Sequence, residues 1–163
     1  MLGESILRNL YIDLDEEQYQ PNSIDLKLDK ILTLSEQRFY PIGLYDGKKK
    51  LPEYNELEVW AKGQNNEPLY KLEPKTSYIV VIDGKIEIPE NVAQFYLPRS
   101  SLLRCGLSLH TALGDSGFKG HLQFLITNEN NFPVLLGKGE RIATAVFFTV
   151  QGATKYDGDY QEE

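Results

Sequence analysis

The stretch HLQFLITNENNFPVLLGKGERIATAVFFTV, residues 121–150, contains three short segments rich in β-branched and aromatic residues. These segments are HLQFLIT, PVLL and RIATAVFFTV, and they are separated by NENNF and GKGE, which contain Asn and Gly residues. Such segments between turn-forming residues are typical of β-strands. Gly137 and Gly139 flank Lys138 and predict a turn between the last two segments. The stretch therefore predicts a fold that is mainly β.

Further predicted strands precede this stretch, namely SIDLKL, KILTL, SYIVVI, KIEI and AQFYL. Asp83-Gly84 lies between SYIVVI and KIEI and predicts a tight hairpin, because a two-residue turn requires positive φ angles. Apolar residues at helical spacing predict a short helix over residues 3–10, and residues 41–75 concentrate turn signals that predict a longer excursion. Many short strands at close spacing favour an antiparallel barrel or sandwich with one or two short helices.

The size and charge of the chain limit the classes of function that it can have. Its 163 residues fit a single domain, residues 1–163. Its 17 basic and 24 acidic residues give a net charge of -7, which argues against general binding to nucleic acid or to an anionic membrane. A single cysteine, Cys105, suits a reducing compartment, and the N-terminus lacks the pattern of a signal peptide. We therefore expect a cytoplasmic protein.

The segment LPRSSLLRCGL, residues 97–107, changes character where a proline interrupts a strand. Ser100 or Ser101 is expected to cap a short helical turn. The helix-start amides, the two hydroxyls, and the cations Arg99 and Arg104 would together form a phosphate cradle. A capped helix with two surface arginines explains the same residues, and composition alone favours that interpretation.

The segment ALGDSGFKGHL, residues 112–122, also has two interpretations. Asp115 lies among favoured turn residues, which predicts a solvated carboxylate at a hairpin tip. Gly114 and Gly117, however, allow the backbone to approach a ligand closely, and Phe118 offers a flat face for a sugar. Phe118 could equally belong to the core.

Two strands carry residues of interest on the face opposite their apolar side chains. Leu122, Phe124 and Ile126 share one face of the strand over 121–127, so Leu125 is an apolar member of the opposite face and predicts contact with another surface. In SIDLKL, Asp25 lies on the polar face, which composition alone predicts to be solvated. The cysteine and the two histidines do not have the spacing of a zinc site, and the chain has no Walker loop or dinucleotide fingerprint.

In order, the segments SIDLKL, PRSSLLRCGL, GDSGFKGHL and GERIATAVF resemble the superfamily of dUTP diphosphatases (dUTPases) and dCTP deaminases. The resemblance extends from about Pro21 to Gln161 and is loose between residues 30 and 80. It implies a distorted jelly roll, the dUTPase-like or β-clip fold, and a homotrimer with active sites at the subunit interfaces. An apolar Leu125 on the second face of its strand suits such an interface.

The resemblance also implies roles for individual positions. Asp115 corresponds to the aspartate that contacts the deoxyribose 3′-hydroxyl and activates water, and Phe118 to the aromatic residue that packs against deoxyribose. Arg99 and Ser100 correspond to groups that act on the triphosphate and complete the implied catalytic set, and Asp25 to an aspartate linked to the metal through water. The further substrate-binding positions are Ser101, Arg104, Leu109, His110, Thr111, Gly114, Thr144, Tyr160 and Gln161.

The residue at position 125 distinguishes the two branches of this superfamily. The deaminases carry a glutamate on this strand as the acid-base for attack on cytosine. A leucine cannot transfer protons, so deamination should be lost. The resemblance is therefore greatest to archaeal-type dUTPases and implies hydrolysis of dUTP to dUMP and diphosphate. Magnesium chelated by the triphosphate would offset its charge, and Asp115 would direct water at the α-phosphorus.

Two segments depart from the family pattern. Thr144 stands where a glutamine usually follows RIA, and a hydroxyl cannot make both contacts of an amide. The C-terminal arm, residues 151–163, matches the Tyr-Gly-Tyr-Gln stretch of archaeal-type relatives through Tyr156, Gly158, Tyr160 and Gln161. It stops before the Gly-Ser-Thr segment that usually covers the triphosphate. Two alternatives stay open: a dCTP deaminase-like enzyme, and a catalytically weak nucleotide-binding regulatory trimer.

Overall fold

A computed structural model describes residues 1–11, 13–35 and 42–161. Within these ranges the helices are α1 (Glu4–Leu10), a 3-10 turn (Glu16–Gln18) and α2 (Ser100–Arg104). The strands are β1 (Tyr19–Gln20), β2 (Ser23–Leu34), β3 (Gly43–Tyr45), β4 (Lys48–Lys50), β5 (Tyr54–Glu56), β6 (Ala61–Lys62), β7 (Pro68–Leu72), β8 (Ser77–Ile82), β9 (Ile86–Glu87), β10 (Val92–Pro98), β11 (Leu107–His110), β12 (Lys119–Gly120), β13 (Gln123–Asn128), β14 (Val134–Gly137) and β15 (Arg141–Thr149).

The largest sheet has eight strands and is organised around the long strand β2. Its order is β10-β15-β2-β8-β13-β11, and β1 and β5 also pair with β2. The first half of β2 pairs antiparallel with β15, and the second half pairs antiparallel with β8 after a register shift between Leu28 and Lys30. One strand therefore serves both halves of a nearly closed, barrel-like sheet, and the predicted mainly-β jelly-roll class is confirmed.

Three smaller sheets accompany the eight-stranded sheet. β12 pairs with β9, β14 and β6 flank β7, and β3 pairs with β4. Five short strands, β3 to β7, lie in the excursion predicted over 41–75, of which residue 41 falls outside the described residues. The sheets enclose one hydrophobic cluster that includes side chains from α1, β2, β8, β13 and β15.

Burial along the strands follows the two-residue period of the side chains. In and just before β13, Leu122, Phe124 and Ile126 are buried, while Gln123 is exposed and Leu125 half-buried. This is the alternation that the sequence predicts, and it directs Leu125 away from the core. Helix α1 lies within the predicted range and buries Leu7 completely.

The predicted hairpin at Asp83-Gly84 is wrong. β8 is hydrogen-bonded to β2 on one edge and to β13 on the other, so no edge remains for the segment that follows it. That segment, β9, pairs with β12 instead. The Asp83 amide donates to the Lys27 carbonyl oxygen at 2.9 Å, and only Gly84 of the pair has a positive φ angle.

Two other local predictions have different outcomes. SIDLKL and KILTL form one continuous strand, β2, with the register shift where two strands were expected. The turn at Gly137–Gly139 is confirmed, since the Glu140 amide donates to the Gly137 carbonyl oxygen and Gly139 has a φ of 81°. None of the helices in the described ranges combines the length and the apolar character that crossing a membrane requires.

Candidate functional site

Asp25 is the centre of a charged cluster on the outward side of the large sheet. Asp25, in β2, is the cross-strand partner of Thr144 in β15, and the Thr144 hydroxyl donates a hydrogen bond to Asp25 Oδ1 at 2.8 Å. Asp25 Oδ2 lies 3.1 Å from Arg99 Nη1 and 3.3 Å from Arg141 Nη1. The carboxylate is only 3% exposed, because the two guanidinium groups cover it. The solvated Asp25 that composition alone predicts is therefore wrong.

This cluster carries excess positive charge. Two guanidinium groups and one carboxylate sum to +1, and the side chains of Arg99 and Arg141 remain 27% and 28% exposed. A guanidinium presents five N–H donors, so each arginine has donors left after its contact with Asp25. The cluster can bind an anion in a protein whose overall charge is negative.

Helix α2 begins beside the charged cluster. Arg99 is its N-cap residue, in an extended conformation and without a side-chain cap, and Ser100 and Ser101 are its first two helical residues. The predicted capping role of these serines is therefore wrong, since they lie one and two positions after the N-cap residue, too late in the chain to accept from the N-terminal amides. Both serines and Arg104 are exposed, so their hydroxyls and guanidinium group are available to a ligand.

The loop that carries Asp115 is anchored on β10. The Gly114 amide and carbonyl both pair with the backbone of Gln94, at 2.9 Å each. A Cβ atom at Gly114 would collide with the Tyr96 hydroxyl and lie 2.9 Å from Ile88 Cδ1. The close approach of loop and strand therefore requires glycine, and it leaves the side chain of Asp115 exposed to solvent.

Phe118 packs between the core and the C-terminal arm. Its half-buried ring contacts the hydrophobic cluster and lies 5.6 Å from the Tyr156 ring in an edge-to-face arrangement. Gln161 accepts a hydrogen bond from the Lys119 amide and donates one to the Gly117 carbonyl oxygen, both at 3.1 Å. The predicted arm residue Gln161 thus lies against the Asp115 loop, and Tyr160 beside it is 43% exposed.

The segment from Leu109 to Gly114 lies in the chain between helix α2 and the Asp115 loop. Leu109 packs against the core, His110 and Thr111 are exposed, and the Thr111 hydroxyl donates to the Tyr96 carbonyl oxygen at 3.0 Å. His110 is the cross-strand partner of Leu125 on the outward face.

One chain does not bring all the predicted site residues together. Asp115 follows Gly114, which is opposite Gln94, whereas Arg99 follows the other end of the same strand. Gln94 and Arg99 are five positions apart in extended chain, roughly 16 Å at about 3.3 Å per residue. The structure therefore forms two groups: Asp25, Arg99 and Thr144 with α2 at one end of β10, and Asp115, Phe118 and Gln161 at the other.

An apolar surface lies between the two groups, and we call it the outer face of β10–β15. It consists of Phe95 and Leu97, which are 53% and 54% exposed, with half-buried Val146 and Phe148. The Phe95 and Phe148 rings meet edge to face at 5.4 Å. Leu97 is the cross-strand neighbour of Thr144, so this surface borders the charged cluster directly.

A buried polar network behind the Asp115 loop was not found by the sequence analysis. Tyr96 donates to Gln94 Oε1 at 2.7 Å, Gln94 Nε2 donates to the Tyr11 hydroxyl at 3.1 Å, and Tyr11 donates to the Glu87 carbonyl oxygen. Burial raises the pKa of both Tyr11 and Tyr96 well above the usual value. In the sequence, the one indication of this network is Gln94, a polar residue in an otherwise apolar strand.

Arg141 was also missed as a site residue, although it begins the motif RIA. Only the register of β15 against β2 shows that it reaches a carboxylate 116 positions away.

The charged cluster does not provide a complete set of metal ligands. Thr144 and two arginines already occupy the oxygens of Asp25, which fits a contact to a metal through water rather than direct ligation. Across residues 1–11, 13–35 and 42–161, no group of three or more His, Cys, Asp or Glu residues could hold a metal ion.

The sequence of this chain is similar to that of a known family and of named proteins. The sequence model of the dCTP deaminase-like family matches residues 4–150. The chain is 44% identical over 161 residues to a probable deoxyuridine 5'-triphosphate nucleotidohydrolase of Methanopyrus kandleri, with 98% of each chain covered. It is 37% identical over 164 residues to the deoxyuridine 5'-triphosphate nucleotidohydrolase of Methanocaldococcus jannaschii, covering 99% of this chain and 98% of that one.

A solved structure has the same fold. The 2'-deoxycytidine 5'-triphosphate deaminase of Agrobacterium tumefaciens superposes with a TM-score of 0.66 at 22% identity, covering 90% of this chain. The chain spans 45% of the length of that protein's chain.

Proposed function

The chain belongs to the dCTP deaminase-like family, and on this premise we propose that it hydrolyses dUTP to dUMP and diphosphate. The archaeal relatives, which match it over nearly their whole length, carry the name of that nucleotidohydrolase activity. Their names agree with the branch that the sequence alone favoured.

One observation carries the choice between phosphate chemistry and deamination. Leu125 presents an aliphatic side chain on the outward face of β13, between His110 of β11 and Ile79 of β8. Deamination of cytosine requires a group that moves protons to and from the ring, and an aliphatic side chain cannot do this. A site with Leu125 in this place is suited to bind a base and to react elsewhere on the nucleotide.

We further propose that the complete site forms between copies of the chain in a homotrimer. The outer face of β10–β15 exposes two large apolar side chains, Phe95 and Leu97, which a second copy would shield from water. This face borders the charged cluster through Leu97 and Thr144, and in the assembly that we propose the copy packed on it places its own Asp115 loop beside Arg99. The length of β10 between Gln94, which pairs with the Asp115 loop, and Arg99, roughly 16 Å of extended chain, is then the reason that a second chain is needed.

In the proposed reaction, Arg99 and Ser100 of one subunit bind the β- and γ-phosphates, and Arg104 adds charge at the end of α2. Phe118 packs against the deoxyribose. Asp115 orients a water molecule and accepts its proton as the water oxygen attacks the α-phosphorus. The bond to the bridging oxygen breaks, and the arginine donors stabilise the charge on the departing diphosphate.

The metal would come with the substrate. Mg²⁺ chelated by the triphosphate supplies charge neutralisation when bound. Asp25 would contact it only through water, because protein donors already occupy its oxygens.

Asp115→Asn tests the proposed role of the carboxylate. The amide keeps the shape of the side chain and cannot accept a proton from water, so turnover of dUTP should fall by at least about a hundredfold, the scale of general-base catalysis. Binding of dUTP and the assembly state should change little. Asp83→Asn is the matched control, since Asp83 is also an exposed loop carboxylate.

The assay itself separates the three candidate functions. The protein is incubated with magnesium and either dUTP or dCTP, and diphosphate and ammonia are measured. Diphosphate from dUTP without ammonia from dCTP is the expected result. Ammonia from dCTP would instead identify a deaminase, and nucleotide binding without either product would identify a regulatory protein.

A further inference from the structure

The C-terminal arm folds back onto the Asp115 loop of its own chain. The Tyr156 amide donates to the Ser116 carbonyl oxygen at 2.8 Å. This hydrogen bond holds the arm along residues 116–119, together with the contact of the Tyr156 ring with Phe118 and the two hydrogen bonds of Gln161.

A glycine in the loop allows the arm to approach, and a glycine in the arm allows the arm's own conformation. Gly117 has a φ of 78°, and a Cβ atom there would lie 2.7 Å from Lys155 Cγ of the arm. A Cβ atom at Gly158 would collide with the ring of Tyr156. Gly117 of the loop therefore leaves space for Lys155 of the arm, whereas Gly158 leaves space for Tyr156 within the arm itself.

The charge of the arm opposes the proposed substrate. Asp157 and Asp159 lie on either side of Gly158, and uncompensated carboxylates near a triphosphate would repel it. An arm that covers the site therefore needs a counter-charge from elsewhere in the protein.

The β3–β4 hairpin supplies such a charge. Lys49, the central residue of β4, forms an ion pair and hydrogen bond with Asp159, and its ammonium group lies 5.5 Å from the centre of the Tyr160 ring. The hydrogen bond raises the pKa of Lys49 and lowers that of Asp159. One side chain of the excursion therefore contacts two consecutive residues of the arm.

We infer that Lys49 is a positioning residue, which holds the arm on the Asp115 loop and neutralises the carboxylate that would otherwise repel the triphosphate. This inference rests on the proposed function for its effect on dUTP, whereas the docking of the arm can be measured without turnover. Lys49 acts through the arm and does not itself touch the reacting atoms.

A charge swap tests the pair. Lys49→Asp should raise the KM for dUTP by roughly three- to tenfold with little change in kcat, the scale of an exposed ion pair together with a cation–π contact. Asp159→Lys breaks the same pair but also removes a carboxylate from the arm, so its effect is read from hydrogen exchange of the arm. The double variant, in which both charges are exchanged, should restore most of the loss. Lys48→Asp is the control, because Lys48 is an exposed neighbour on the same hairpin and its charge change is identical.

Hydrogen exchange of the arm provides the second readout. In the nucleotide-free protein, Lys49→Asp should accelerate exchange of the Tyr156 amide by roughly three- to tenfold, the same factor as for the KM. Lys48→Asp should change this exchange rate by less than about twofold. Since Lys49 and Asp159 are 54% and 71% exposed, added salt should accelerate exchange in the unmodified chain and have less effect in the variant.

Three results would overturn the inference. These are equal exchange in the Lys49 and Lys48 variants, a lower KM after Lys49→Asp, and a double variant no better than the single ones. If the unmodified protein did not hydrolyse dUTP while its arm showed the charge-dependent protection, the proposed function would fail and the docking would stand.

Discussion

Asp25 shows how much of a site can depend on one residue whose environment is set by distant parts of the chain. In the sequence it occupies the polar phase of an alternating strand, a pattern that ordinarily predicts exposure. In the structure Arg99, Arg141 and Thr144 cover it, and they come from positions 74 to 119 residues further along. Local periodicity predicts the face of the strand on which a residue lies. It does not predict the register of β15 against β2, and this register is what buries Asp25.

Removal of the Asp25 charge should destabilise the fold. Asp25→Asn leaves Arg99 and Arg141 facing each other without a carboxylate, and we expect the free energy of unfolding to fall by about 3 kcal/mol. Urea unfolding measures the change. Asp29→Asn, on the same strand, breaks a more exposed pair with Lys138 and should cost less than about 1 kcal/mol. Equal losses in the two variants would contradict a special role for the cluster.

The secondary-structure elements were largely predictable because their signals are local. The alternation of β13 and β15, the helix near the N-terminus and the turn at Gly139 all follow from neighbouring residues. Asp83-Gly84 gave an equally clear local signal and no hairpin formed, because β2 and β13 already occupy both edges of β8. Which strands compete for an edge is decided by long-range pairing, and the same is true of the arm that docks on Phe118.

The buried network that links the N-terminal segment to β10 should make the fold sensitive to alkaline pH. Burial raises the pKa of Tyr11 and Tyr96, while an unfolded tyrosine titrates near pH 10. Above about pH 10 the unfolded chain therefore releases protons that the folded chain retains, and the free energy of unfolding should fall as pH rises. Below that pH these two groups should contribute no pH dependence.

Urea unfolding between pH 8 and pH 11 measures this effect. Tyr11→Phe and Tyr96→Phe should each reduce the slope above pH 10, whereas Tyr54→Phe, at an exposed position, should not. An unchanged slope in both of the first two variants would show that the alkaline loss arises elsewhere.

At the scale of the whole molecule, the two groups of candidate site residues lie at opposite ends of β10, with the apolar outer face of β10–β15 between them. A charge placed in that face should prevent the proposed assembly. Phe95→Glu is expected to yield folded monomers with less than about a tenth of the dUTPase activity, because burial of an unpaired carboxylate in an apolar interface is costly.

Sedimentation measures the assembly state, and circular dichroism confirms that the variant is folded. Leu135→Glu is the control, since Leu135 is 48% exposed on β14, outside this face. A fully active monomer would contradict a site shared between copies.

The separation of the Asp115 loop, which pairs with Gln94 near the start of β10, from Arg99, which follows the end of β10, has a genetic consequence. If each site takes its aspartate from one subunit and its arginine from the next, two inactive proteins, one altered at Asp115 and the other at Arg99, can complement each other. In trimers mixed randomly from equal amounts, the two intact halves meet in about one site in four (one half multiplied by one half). Two alleles that are each null would then give partial activity in the same cell.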